Sequence, residues 1–302
     1  MWKLIKSIVR KFTIKDLDNM KKKFVVVLFI FSVYFSSALD FGKRYFDADE
    51  PGSVVFYDNH TVFDRSTRGK DSINSEIEDV KSFYTDFKGI KKLTINEKDE
   101  KSKNYLILDC KIDSVEFLTL LKPTKTKYRN WVIPYTYFDS KKYNFSVIPV
   151  LWRVSVKEAS SFVQEESKNG MQKYLPEAFG LFSLPWAVSE IEKKKIITFA
   201  CETQRNDFEP VQDLIIVNGF VCAEKESLFK DNCRAKKIKI TYSEVSFDYE
   251  LEDSANYQVI HLPQKIMPCK NDLINLEILD VYKGDKYQDV VISGIYFPEI
   301  HK

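Results

Sequence analysis

The chain has 302 residues, 44% of them hydrophobic and 30% charged, a composition that excludes a disordered chain and makes two domains the expected organisation. Its 46 basic residues nearly balance 44 acidic ones, but residues 1–38 hold 8 of the basic and 2 of the acidic, leaving 38 against 42 in the remainder. A mildly acidic remainder has no basic field of the kind nucleic acid requires, so nucleic acid is excluded as a partner.

In chain order, Met20-Lys21-Lys22-Lys23 precedes an apolar run over residues 24–35 and the small residues Ser36-Ser37-Ala38. This is the order of a secretory signal peptide with translation starting at Met20 and a mature N-terminus at Leu39 or close to it. The run is shorter than the ~20 residues of a spanning helix. Membrane attachment is therefore expected only through an uncleaved leader, whose residues 1–19 carry Trp2, Ile5, Ile8, Val9 and Phe12 on an apolar side. The expected location is outside the cytoplasm: periplasm, outer surface or medium.

Residues 39–152 read as a β-rich domain. Runs at 54–57 and 61–63 flank the turn-like Asp58-Asn59-His60, and residues 105–112, 131–138 and 143–151 are aromatic and β-branched. One segment reads otherwise: Ile73, Ile77, Val80, Phe83, Tyr84 and Phe87 recur at helical spacing between Ser72, a suitable N-cap, and Gly89, a suitable stop. A helix is predicted there, followed by a solvated loop over residues 96–104.

From about Arg153 onward the apolar period is two. Ile238, Ile240 and Tyr242, then Val245, Phe247, Tyr249 and Leu251, predict a hairpin around Ser243-Glu244, with Lys237, Lys239, Asp248, Glu250 and Glu252 on its wet face. Asn218-Gly219 is a natural turn. At the end, Ile274, Leu276 and Ile278 alternate with Asn275 and Glu277, Lys283-Gly284-Asp285-Lys286 reverses the chain, and residues 290–297 are expected to pair back. Gly294 interrupts that last run, as a strand glycine does at a bulge or a close approach. The prediction for residues 153–302 is an antiparallel β-sandwich closed by its terminal strands.

The wording of these segments carries a resemblance. INLEILDVYKGDKYQDVVISGIYF over residues 274–297, LIIVNGF over 214–220, LFKDNCRAKK over 228–237, and Tyr174-Leu175-Pro176-Glu177 followed by Pro185-Trp186 are similar to the jelly-roll glycan-binding domain named after NAD glycohydrolases. That domain is a galactose-binding-like relative of discoidin and F5/8 type C modules. The resemblance implies a jelly roll over residues 153–302 that binds a glycan, and a calcium ion is the one cofactor it raises. NAD cleavage belongs to a separate domain in those proteins, and nothing in residues 39–152 is similar to it. Two departures concern ligands: residues 178–186 lack the acidic loop residue of the family, and Ser293-Gly294-Ile295 lacks a second carboxylate.

Cys222 and Cys233 bracket a ten-residue loop within the resemblance and are candidates for a disulfide, which would contribute about 2–3 kcal/mol if formed. Cys201 with Cys269 is a second candidate pair and leaves Cys110 over; buried thiols are the alternative, since spacing alone does not fix connectivity. Zinc is disfavoured by the absence of CxxC spacing or a histidine pair.

Catalytic signals are sparse. The histidines are His60, His261 and His301, and no phosphate-binding glycine loop or HExxH motif occurs. Carboxylates such as the pair Glu165-Glu166 read as surface charge. Trp186, Tyr174, Phe208, Phe220, Tyr282 and Tyr287 are candidates to stack on sugar rings, against the simpler role of core aromatics. The resemblance adds Asn218, Asn232 and Arg234 as hydrogen-bond donors to sugar hydroxyls, and residues 179–186 and 204–208 as loops where a ligand would meet the module. The expectation is an exported, non-catalytic carbohydrate-binding or adhesion protein whose partner is a glycan or cell-envelope component. The alternatives are an envelope protein that binds another protein, and an enzyme with its active site in residues 39–152.

Overall fold

The computed structural model describes residues 44–47, 52–56, 60–66, 73–85, 91–96, 103–125, 130–140, 149–167, 170–179, 184–202, 209–223, 225–267 and 272–300. Residues 1–38, where a signal peptide is expected, Phe208 and the loop around it, Cys269 and His301 lie outside them.

Among the described residues of the first half, eight strands form a closed antiparallel barrel in which each strand pairs with the next: β1 (Arg44–Asp47), β2 (Gly52–Phe56), β3 (His60–Ser66), β4 (Ile73–Thr85), β5 (Lys91–Asn96), β6 (Lys103–Ile112), β7 (Val115–Lys125) and β8 (Asn130–Ser140). β8 returns to β1 through Phe46↔Phe138 and Asp47↔Tyr137. The helix expected between Ser72 and Gly89 is not formed: that segment is β4. Its register explains the misreading. Val80 faces Ile95 and Phe83 faces Leu93, while the ladder skips Lys81, so a bulge shifts the alternation by one residue. Apolar positions on either side of such a shift fall three and four residues apart, which imitates a helical stripe.

The second half is a β-sandwich. One layer contains β10 (Ser155–Ala159), β14 (Ile196–Ala200), β19 (Leu273–Tyr282), β16 (Cys233–Tyr242) and β17 (Val245–Glu250). The other is centred on β20 (Asp289–Glu299), flanked on one edge by β9 (Val150–Arg153) and β13 (Trp186–Ser189), and on the other by β15 (Val211–Asn218) and then β18 (Tyr257–Ile266). A small hairpin of β11 (Gln164–Ser167) and β12 (Gly170–Lys173) and a short helix α1 (Ser227–Asp231) complete it. Between the layers Phe199, Ile216, Ile238, Ile240, Ile260, Leu276, Ile292 and Phe297 are fully buried, each placed there by its period-two position.

The hairpin expected at 238–251 is present as β16 and β17, with Ser243 at φ 47 in the turn. The terminal pairing differs from expectation. β19 and β20 are both strands, but β16 lies between them, antiparallel to β19 and parallel to the start of β20 through Cys233↔Val290 and Arg234↔Val291. The link from β19 to β20 is held against α1, which prevents it from closing a tight turn. Asp285 N–H donates to Lys230 O at 2.9 Å, and the N–H groups of Lys286 and Tyr287 donate to Asp231 O at 3.0 and 2.8 Å. Gly284 approaches this helix end so closely that a Cβ would lie 2.4 Å from the carbonyl carbon of Asn232.

A second apolar core joins the barrel to the sandwich. Leu106, Leu108, Phe117, Leu121 and Phe138 meet Ile215, Val217, Tyr257 and Tyr296 from the outer face of the β18–β15–β20 layer, with Val221, and Phe229 of α1, beside them. Tyr257 Oη donates to Thr119 Oγ1 at 2.7 Å within this contact. Asp109 and Asn256 clasp each other twice across it, at 2.7 and 2.6 Å. Gly294 permits the arrangement: the Tyr296 ring folds back over it, 2.7 Å from where a Cβ would stand. The close approach expected of that glycine is thus to a neighbouring ring in its own strand.

Candidate functional site

A cleft of about 260 Å³ opens at one end of the sandwich. Its floor is Val163, Ala187 and Val291; Tyr174, Phe220 and Tyr287 supply aromatic surface; Glu165, Lys225, Asn232 and Asp289 supply polar groups. Backbone bonds set the walls: Val163 N–H donates to Ala187 O at 2.8 Å, Tyr174 N–H to Val163 O at 3.1 Å, and Ala187 N–H to Tyr174 O at 3.3 Å. On the opposite side, the strapping of the β19–β20 link onto α1 holds Tyr287 at the rim, where 42% of the residue remains exposed. Cys233 Sγ tightens the strap by accepting from Gly284 N–H at 3.3 Å.

Tyr174 and Phe220 meet edge to face, with centroids 6.3 Å apart. Tyr174 Oη donates to Glu165 Oε2 at 3.0 Å. Burial, reinforced by the Glu165 charge, raises the Tyr174 phenol to about 12, so it remains a protonated donor. Burial, and then the same Glu165 charge, also raises Asp289 above the usual carboxylate range. Asp231, just outside the cleft, shows the opposite result: burial opposes its ionisation, but hydrogen bonds from Lys286 and Ser227 outweigh this and hold it below the usual range.

The residues singled out in the sequence separate into two groups. Tyr174, Phe220, Tyr287 and Asn232 converge on the cleft. Trp186, Asn218, Arg234 and Tyr282 do not; they hold the module together. Trp186 is fully buried in the sandwich core, its Nε1–H donated to Ser161 O at 2.9 Å, so it offers no face to a ligand. Asn218 is equally buried and pairs with the backbone of Ala235, donating to its carbonyl at 2.7 Å and accepting from its N–H at 3.0 Å. Ser293, the extra residue of a bulge in β20, ties the Asn218-Gly219 turn by donating to Gly219 O at 2.7 Å and accepting from Val221 N–H at 2.9 Å.

Arg234 is enclosed. Its guanidinium forks onto Asp253 at 2.7 and 3.2 Å, donates to Phe229 O and Asn232 O at 3.0 and 2.8 Å, and stacks 5.1 Å from the Phe229 ring centroid. Tyr282 Oη donates to Leu251 O at 2.9 Å. Asn232 lines the cleft, and its Nδ2 donates to Leu228 O at 2.9 Å. Cys222 and Cys233 are thiols and no disulfide joins them; the sulfur of Cys233 faces Tyr287 O and Gly284 N–H. Among the described residues no three His, Cys, Asp or Glu side chains gather as a metal site.

Glu165, Lys225 and Asp289 were not legible as site residues. Asp289 lies within the 274–297 segment, where its place at the start of β20 gives no chemical signal.

Residues 196–298 match the model of the NAD glycohydrolase translocation F5/8 type C domain family. No curated protein matches the chain. The match begins with β14 and runs into β20, so it includes Phe220, Asn232, Tyr287 and Asp289 but not Val163, Glu165, Tyr174 or Ala187. One wall of the cleft therefore lies in the matched segment and the other outside it.

Proposed function

We propose that this chain is an exported, non-catalytic binding protein whose F5/8 type C-like module holds a carbohydrate in the cleft between Tyr174, Phe220 and Tyr287. The observation that carries the reading is the convergence of three aromatic rings with acceptors and donors around a hollow of about 260 Å³. Sugar rings present C–H faces that pack on aromatic planes, and their hydroxyls need the polar groups placed here by Glu165, Asn232 and Asp289. Drug-sized ligands occupy roughly 300 Å³ or more, so this volume suits a single sugar ring with the rest of the glycan in solvent.

Binding is favoured over hydrolysis by the state of Tyr174. A tyrosine beside a carboxylate is a nucleophile in some glycosidases, but that role needs a lowered phenol pKa, and here burial and Glu165 raise it to about 12. The family description names translocation of an NAD glycohydrolase, which is consistent with a recognition role for the module at an envelope surface.

The test is a glycan array probed with the whole chain, followed by Tyr287→Ala. Tyr287 is half exposed and its strap contact is made through the backbone N–H, so the variant keeps the fold. Affinity for any sugar found should fall by about ten-fold with an unchanged melting temperature. Undiminished binding by the variant would place the ligand elsewhere, and absence of binding to every glycan would remove the carbohydrate reading.

A further inference from the structure

We infer that the cleft is built for a cationic amino sugar, whose ammonium group lies between Glu165 and Asp289 while its ring rests on the aromatic residues. This deepens the carbohydrate reading and rests on it. The first ground is how the lysines around the cleft are distributed. Lys286 is bound to Asp231 at 3.1 Å and Lys283 pairs with Glu190, on the same link that presents Tyr287 and Asp289. Lys225, the one lysine lining the cleft, forms an ion pair with neither Glu165 nor Asp289 among the described residues. Farther out, Arg234 takes Asp253, Lys236 takes Asp280 and Lys237 takes Asp248. Among the described residues, Glu165 and Asp289 have no such ion pair.

The two carboxylates are nevertheless close enough that the Glu165 charge adds to burial in disfavouring ionisation of Asp289. Two like charges lining one hollow are relieved by a cation placed between them, and an ammonium can hydrogen-bond to both. Glu165 is also oriented for the task, because Tyr174 occupies Oε2 and leaves Oε1 available. The second ground is the aromatic surface. The faces of Tyr174, Phe220 and Tyr287 carry the negative side of their quadrupoles and attract a cation, whereas an acidic sugar would be repelled by both carboxylates. A neutral sugar would leave the charge repulsion in place. The hollow is also larger than an ammonium alone requires, which favours an amine carried on a ring.

The experiment compares three oligosaccharides of equal length binding to the whole chain: β-1,4-linked glucosamine, its N-acetylated form, and the glucose equivalent. Calcium chloride and a polylysine peptide serve as further probes. The glucosamine form should bind at least about ten-fold more tightly than the other two at neutral pH. Asp289→Asn and Glu165→Gln should each erase most of that advantage by lowering affinity for the glucosamine form more than for the two neutral forms, with melting curves confirming the fold. Equal binding of the three sugars would overturn this inference and leave the carbohydrate reading intact; binding of none would remove both. Displacement of the sugar by calcium, or polylysine binding as tight as that of the glucosamine form, would overturn the amino-sugar assignment in favour of a metal or a basic peptide.

Discussion

Arg234 separates a structural role from a ligand role most sharply. Replacing it by alanine removes a two-pronged contact to Asp253, at 2.7 and 3.2 Å, and two donors to carbonyls at the end of α1, at 3.0 and 2.8 Å. The side chains of Arg234 and Asp253 are only 7% and 15% exposed, so water cannot replace the guanidinium. Removing one member of such an enclosed pair costs about 3–5 kcal/mol, mostly because the remaining charge keeps its desolvation penalty. At about 2–4 °C per kcal/mol for a unit of this size, the melting temperature should fall by about 6–20 °C. Arg234→Lys keeps the charge but loses the planar fork, and about 2 kcal/mol of loss is expected. Differential scanning calorimetry on both variants is the assay, with sugar affinity measured below the transition. Arg234→Ala melting within about 2 °C of the parent while binding fails would refute the structural assignment and restore Arg234 as a ligand contact.

Three further outcomes follow from the geometry. Trp186→Ala should destabilise the chain by about 3–5 kcal/mol in urea unfolding, because it empties a fully buried site and orphans the Ser161 carbonyl. Gly294→Ala should cost about 1–3 kcal/mol by driving a methyl into the Tyr296 ring, and Gly294→Ala combined with Tyr296→Leu should recover part of it in the same assay. Asp289 has a folded-state pKa above its unfolded value, so the folded chain holds more protons between the two and stability falls as pH rises through that window, upward from about pH 4. Asp289→Asn should flatten this part of a melting-temperature profile measured against pH.

The fold was legible where alternation ran unbroken. Ile238, Ile240 and Tyr242 against Val245, Phe247 and Tyr249 specify a hairpin because each apolar residue faces the same core and Ser243 takes the turn. The segment 73–85 was misread because the bulge at Lys81 produces three-and-four spacing within a strand. β19 and β20 were recognisable as strands but not as members of different layers, since that depends on the β19–β20 link bonding to α1, a contact between segments 55 residues apart in the case of Lys286 and Asp231. The site divides in the same way. The aromatic character of Tyr174, Phe220 and Tyr287 is local information; their convergence, and the burial of Trp186, are set by the crossing of layers. Asn218 and Arg234 stood out because the module's own hydrogen bonding requires them, and local wording does not distinguish that need from a ligand's.

The shared core between barrel and sandwich has a consequence for any attempt to treat the module as portable. Excised near residue 153, it would turn Ile215, Val217, Tyr257 and Tyr296 outward as an uncovered greasy strip on a flat sheet, and copies would cling to one another through it. In the intact chain the barrel is the resident cover of that strip. Because β20 carries Tyr296 beneath the cover and Asp289 at the cleft, a single strand reaches from the shielded face to the cleft.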